Sequence, residues 1–243
     1  MKNIQRPSNR LIATLLFAAL FTGACGSDDK PTVTGPGPAA NPTAPSLSTA
    51  QTYVVLGASA VTNTGATALT GDLGVSAPGI SPTGFPPGTI TGTTHAGDAS
   101  SAQAQSDLTP AYDALAAKTC TTPLSGQDLG SRTLTQGVYC FTSSAQLTGA
   151  LTLNGNASSV FIFKIASSLN TASSSSVVMT GGALARNVYW QVGSSATLGS
   201  STAFQGNILA LTSISLGTGA SLSGRALARN GAVTMDGNAI SMP

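Results

Sequence analysis

Ser195 to Asn238 reads SATLGSSTAFQGNILALTSISLGTGASLSGRALARNGAVTMDGN, and its internal grammar decides the fold. Leu198, Leu216 and Met235 fall on one equivalent position, 18 and 19 residues apart. Gly206 and Gly224 fall on a second, 18 apart, and the runs Asn207 to Leu211 and Arg225 to Arg229 on a third. Each unit alternates apolar residues with Ser or Thr, meets a Gly, and enters an Ala- and Leu-rich run. Self-similarity at this period marks a solenoid, in which each repeat buries its apolar side only against its neighbours.

The composition agrees. Of 243 residues 28 are Gly, only 7% are charged, and Glu is absent. An ordinary globular domain is about 25% charged. Small, β-compatible residues with tight turns predict an all-β chain. From Ser46 onward two Lys and four Arg face six Asp, so the domain is near neutral despite the formal +2 of the whole chain. No basic stripe exists to hold phosphates, which argues against nucleic acid as a partner.

Residues 1–24 read as an export signal: Lys2, Arg6 and Arg10, an apolar run from Leu11 to Phe21, then Thr22-Gly23-Ala24 before Cys25. The run is too short to span a bilayer. Gly and Ala before Cys25 resemble a bacterial lipobox, with Thr22 departing from the usual aliphatic residue. Lipidation of Cys25 gives a cell-surface or outer-membrane lipoprotein; ordinary cleavage near Ala24 gives a secreted one. Residues 25–45, rich in Pro, Gly, Thr and Asp, read as a flexible tether. The domain is then 46–243.

Val61 to Val75 repeats the C-terminal grammar, with Thr64-Gly65-Ala66-Thr67 set against Thr218-Gly219-Ala220-Ser221 and Gly71 against Gly224. Residues 76–94 carry Pro78, Pro82, Pro86 and Pro87 and read as loop. Residues 98–118 form the one predicted helix. Leu108, Ala111, Tyr112 and Leu115 make its apolar stripe, Asp98 is its cap, and Pro110 kinks or restarts it. The stripe needs a sheet apolar on both sides, which Val160 to Ile165 and Val188 to Trp190 supply. The 27-residue interval between these two strands, against 18 to 20 later, implies an insertion near Ser173 to Ser176 or at Gly181-Gly182.

Cys120 and Cys140 are expected to pair in an exported protein. With one His and no CxxC, no metal site or cofactor is expected. No catalytic residue is assigned either. Asp72 and Asp236 sit beside turn glycines, three other Asp belong to the helix, and His95 stands alone before it.

The segments VLGASAVTNTGATALTGDLGVS, LTQGVYCF, LTGALTLNG, VFIFKIASSLNTASSSSVV, NVYWQVGSSATLG, FQGNILALTSISLGTGASLSGRALA and GAVTMDGN occur in this order over residues 53–238. The ordered set resembles the microbial ice-binding-like family. That resemblance implies a right-handed, discontinuous β-solenoid of triangular section, its N-terminal coils docked beside the C-terminal ones and its helix along one face. It also implies that the partner is ice, met by a flat open face carrying Thr-Ala/Gly-x-Thr/Asn patterns; the chain is expected to be a monomer. The residues expected on that face are Thr62, Thr64, Thr67, Thr171, Ser173, Ser201, Thr202, Thr218, Ser221 and Asn238. A cell-surface adhesin or carbohydrate-binding solenoid is the alternative.

Overall fold

The structure is a computed structural model that describes residues 40–243. The predicted export signal, Cys25 and most of the predicted tether lie outside the described residues.

Short strands, three to five residues on each open face, wind into coils with three faces, because a Gly or a small-residue corner interrupts pairing every few residues. The helix face stacks Thr122–Pro123, Gly137–Phe141, Phe161–Ile165, Val188–Val192, the C-terminal halves of Ala203–Ala210 and Ser221–Ala228, then Tyr53–Gly57, Asp72–Val75 and Thr94–Ala96. The first open face stacks Ala145–Leu147, Leu169–Thr171, Ala196–Leu198, Ile214–Leu216, Val233–Asp236 and Val61–Thr64. Single bridges at Asp128 and Thr83 extend it at either end. The second open face stacks Arg132–Leu134, Ala150–Asn154, Ser176–Thr180, the N-terminal halves of Ala203–Ala210 and Ser221–Ala228, then Ala239–Ser241, Ala68–Thr70 and Thr89–Thr91. Every pairing is parallel, and parallel strands joined by such crossovers wind right-handed.

Sequence order and stacking order differ at one place. Val55 pairs with Ala226, Val61 with Val233 and Ala68 with Ala239, so the N-terminal coil continues the C-terminal one. The chain must then return from Ala96, at one end of the helix face, to Thr122 at the other. Nine strands leave eight gaps of about 4.8 Å, roughly 38 Å in all. The helix Ala99–Ala116 has 18 residues and covers about 27 Å of that at 1.5 Å per residue; residues 117–121 complete the return. Asp98 caps the helix by accepting from the Ser101 N–H at 2.8 Å. Pro110 does not restart it, and the buried row Leu108, Ala111, Tyr112 and Leu115 runs through the proline on one continuous helix.

Two apolar layers result. Inside the solenoid, Tyr139, Phe163, Trp190 and Phe204 stack coil upon coil, with Phe163 and Trp190 ring centroids 3.9 Å apart and 9° from parallel. Between sheet and helix, Leu56, Val138, Ile162, Tyr189, Leu209 and Leu227 meet the helical stripe. Alternate residues of one strand thus serve different layers, which is why these strands read as apolar throughout. Gln191 and Asn207 are the buried polar exceptions; the Gln191 amide donates to the Tyr112 hydroxyl at 2.7 Å, and that hydroxyl donates to the Val192 carbonyl at 3.2 Å. Cys120 and Cys140 are joined by a disulfide, which ties the end of the helix return to the second coil.

Two expectations are revised, and the insertion, expected at one of two places, falls at the second. Residues 41–45 are not spacer: Asn41 accepts from the Val160 N–H at 2.8 Å and donates to the Ser158 carbonyl at 2.9 Å, and Ala44 packs against the helix layer. A polar side chain with two backbone partners anchors a segment that composition alone makes featureless. Residues 76–94 are the last coil as well as loop, with Thr83 and Thr89–Thr91 paired and the prolines confined to the sheet edge. The insertion lies at 181–187, where a 3-10 turn, Ala185–Asn187, precedes Val188; five residues separate Thr171 from Ser176, as they separate Leu198 from Ala203.

Candidate functional site

The helix covers one face, so any extended contact surface lies on the other two. On the first open face period-2 alternation puts Ala196 and Leu198, Ile214 and Leu216, and Val233 and Met235 inside. The residue between each pair points out. In stacking order these are Gln146, Asn170, Thr197, Ser215, Thr234 and Thr62, all in register. Ser168, Ser195, Ser213, Ala232 and Ala60 border this column on one side. Ala172, Gly199, Gly217, Asp236 and Thr64 border it on the other. Small side chains dominate all three columns.

Several hydroxyls are held in place. Thr234 donates to Ser215 Oγ at 3.0 Å, the Ser195 and Thr212 hydroxyls hydrogen-bond to each other at 2.7 Å, and Thr218 donates to Asp236 Oδ2 at 2.5 Å. The carboxylates at this face's margins serve the fold. Asp128 accepts from the Gly130 and Thr148 N–H groups and the Thr148 hydroxyl. Burial pushes its carboxyl up, but those donors outweigh burial and leave it below the usual range.

The second open face has two outward columns, running from Thr152 and Ala150 through Gln205 and Ala203 to Thr70 and Ala68. It is not flat. A shallow trough of about 260 Å³ opens over Gln205, Ser221, Ser223, Ala239 and Ser241, and Val178 stands out of the sheet as an exposed apolar side chain.

The ten residues expected on one face separate into four groups. Thr62 and Thr64 lie exposed on the first open face. Ser173, Ser201 and Thr218 are exposed at the corner between the open faces, and Ser221 is half-buried on the second. Thr67, Thr171, Thr202 and Asn238 are buried and offer no side chain to a surface. Thr171 and Thr202 hydroxyls meet at 3.0 Å, and Thr171 also accepts from the Gly199 N–H at 2.9 Å. Asn238 donates its amide to the carbonyls of Gly217 at 2.8 Å and Ala220 at 3.0 Å. Thr67 accepts from the Asn238 N–H at 3.0 Å and donates to Asn63 Oδ1. These side chains satisfy backbone groups that a tight corner strips of ladder partners, a role the same residue types perform in any turn.

The register explains the misassignment. Ser221 pairs with Ala239 and Ala239 with Ala68. Thr218-Gly219-Ala220-Ser221 therefore aligns with residues 65–68, one position beyond Thr64-Gly65-Ala66-Thr67. Sequence reasoning missed the central column, Gln146, Asn170, Thr197, Ser215 and Thr234. Its signal is the polar residue enclosed by two apolar ones, recurring at the 18- to 19-residue period for Thr197, Ser215 and Thr234 and at longer intervals for Gln146 and Asn170.

The remaining acidic groups are also occupied. Asp72 accepts from the Thr93 N–H, Asp107 from the Thr49 N–H and hydroxyl, and Asp113 pairs with Arg229. Asp98 binds His95 Nδ1 at 2.8 Å as well as capping the helix. Among the described residues no three His, Cys, Asp or Glu side chains gather as metal ligands would.

The sequence pattern of the ice-binding-like family matches residues 55–241. The chain belongs to the ice-binding-like family. It is 56% identical over 198 residues to an ice-binding protein of Nostoc sp., spanning 80% of this chain and 73% of that one. It is 30% identical over 257 residues to an ice-binding protein of a Colwellia species, spanning 100% and 96%. Among solved structures it resembles an ice-binding protein from an Antarctic biological consortium, with TM-score 0.81 and 46% identity over 85% of this chain and 94% of that one. An ice-binding protein from the ascomycete Antarctomyces psychrotrophicus gives TM-score 0.79 and 44% identity over 82% and 98%. The likeness spans the whole solenoid, so the discontinuous stacking and the flanking helix are family features.

Proposed function

We propose that this chain binds ice through its first open face. The observation that carries the reading is the in-register column Asn170, Thr197, Ser215, Thr234 and Thr62 on a nearly uncharged sheet of small side chains, in a chain whose relatives are ice-binding proteins. Parallel pairing repeats the column every ~4.8 Å. Thr presents a methyl and a hydroxyl on a stiff β-branched stem, so ordering it against a lattice sacrifices little rotamer freedom. The Thr234–Ser215 and Ser195–Thr212 hydrogen bonds hold part of the array before any contact forms. A charge would impose its own hydration; the Asp236 carboxylate at the border is instead engaged by Thr218. Contact is then a sum of many weak, simultaneous interactions, with no catalytic group required.

The chain acts outside the cell in this reading. A lipid on Cys25 would hold the cell to ice or control ice beside it, whereas a secreted form would restrain crystal growth and recrystallisation in the surrounding medium. Thermal hysteresis and recrystallisation assays on the full chain test the binding; ordinary crystal growth at micromolar protein would rule it out. Palmitate incorporation that disappears in Cys25→Ala assigns the anchored form, and its absence in the parent chain assigns the secreted one.

A further inference from the structure

Arg225 lies where the strand Ser221–Ala228 turns from the second open face to the helix face. Its Nε and Nη2 donate to the Gln51 carbonyl at 2.9 and 2.7 Å, and Nη1 donates to Asn207 Oδ1 at 2.7 Å. Asn207 is fully buried and anchored in turn, with Nδ2 donating to the carbonyls of Arg186 at 3.1 Å and Val188 at 3.0 Å. The guanidinium is therefore aimed by neutral groups alone. The ion pairs among the described residues are His95–Asp98 and Arg229–Asp113, so neither Arg225 nor Arg186 has a carboxylate partner. A guanidinium carries five N–H donors, and Arg225 keeps two beyond the three bonds above.

Two further donors stand beside it. Tyr189 is only 7% exposed, and its hydroxyl has no hydrogen-bond partner among the described residues. Arg186 is exposed and its guanidinium is likewise uncommitted among them. Arg186, Tyr189 and Arg225 line one pocket of about 240 Å³, walled otherwise by Pro45, Ser46 and Gln51 among others. Burial pushes the Arg225 guanidinium down and the Tyr189 phenol up from their ordinary values, as expected of a desolvated cation without a counter-ion. Charges drawn out of water are normally paired, and this half-buried one has no carboxylate partner among the described residues.

We propose that this pocket binds an oxyanion, a carboxylate or phosphate group, between the two guanidinium groups and the Tyr189 hydroxyl. The forked donors of arginine suit such a group. A pocket this small admits the anionic group of a larger molecule rather than the whole of it. Two sources share that chemistry: the uronate groups of an acidic polysaccharide and the phosphates of a cell surface. The corner between the second open face and the helix face lies opposite the first open face on each coil, so an anion held here leaves that face free. The inference is independent of ice binding.

Titration of the full chain with glucuronate and, separately, inorganic phosphate, at constant ionic strength set with chloride, tests it by calorimetry and by the arginine Nε signals in nitrogen-edited NMR. Saturable binding in the millimolar range is expected, with shifts at Arg225 and Arg186. Arg186→Gln and Tyr189→Phe should each weaken it about tenfold at unchanged melting temperature, the effect of losing one charge-assisted contact. Tighter glucuronate binding assigns the polysaccharide, and tighter phosphate binding the phosphorylated surface. No saturable binding of either anion, or binding unaltered in Arg186→Gln, overturns the proposal.

Discussion

Gly224 offers the sharpest test of the coil geometry. It sits with φ +153° at the bend between the second open face and the helix face, directly over Gly206, its partner in the next coil. A Cβ at Gly224 would overlap the Gly206 carbonyl oxygen and come within 2.6 Å of its carbon. Those atoms are backbone in a parallel ladder and cannot swing aside. Gly224→Ala therefore combines two costs: about 1–3 kcal/mol for the backbone conformation and about 1–3 kcal/mol for overpacking. Gly149 separates them, because it also has positive φ (+82°) but a Cβ there meets nothing within 4 Å. In a domain of this size 1 kcal/mol lowers the melting temperature by about 2–4 °C. Taking mid-range costs, Gly224→Ala should lower it by about 8–16 °C and Gly149→Ala by about 4–8 °C. Circular dichroism melts of the two variants and the parent decide the matter. Equal losses would show that Gly224 is kept for its φ alone and that the coils are not packed backbone on backbone at this corner.

Other consequences concern the corners, the clip and the helix. Asn238→Ala removes three side-chain hydrogen bonds beneath the corner, two donated to carbonyls and one accepted from the Asp236 N–H at 2.6 Å; a loss of about 2–4 kcal/mol in chemical denaturation is expected. Cys120→Ser with Cys140→Ser opens a loop of 20-residue separation and should cost about 3 kcal/mol, with hydrogen exchange accelerated first in residues 122–134. Asp98 and Asp107 both titrate at about 2, held down by the Ser101 N–H and His95 in one case and by the Thr49 hydroxyl and N–H in the other. Their folded values lie below the unfolded carboxylate range near 4. The stability they contribute is thus complete above that range and lost as pH falls towards 2. An acid titration followed by circular dichroism should show a shallower loss for Asp107→Asn than for the parent.

Much of this was legible in the sequence because a solenoid repeats its errors as well as its rules. The 18- to 19-residue spacing of Leu198, Leu216 and Met235 places them in one inward column, and the register agrees. The apolar runs claimed by two layers, the helix and the flanking cap at Asp98 also follow from pattern. What pattern does not carry is the direction of a polar side chain at a corner. Thr67 and Thr64 are three residues apart and chemically identical, yet one is buried and the other exposed. The difference arises from the length of the corner, which the alignment of Ser221 with Ala68 fixes only once the coils are stacked. Asn41 is a similar case, since nothing local tells an anchoring Asn from a spacer Asn before its partners near Ser158 are known.

The most direct measurement of the central claim is thermal hysteresis with one bulky side chain placed on each open face in turn. Thr197→Tyr and Thr234→Tyr put a ring in the middle of the first open face, and Ser223→Tyr puts the same ring on the second. At matched concentration the first two should lose most of the activity and Ser223→Tyr should keep it, all three with near-parental melting temperatures. Retained activity in Thr197→Tyr and Thr234→Tyr, with loss in Ser223→Tyr, would move the ice contact to the other face and contradict the account.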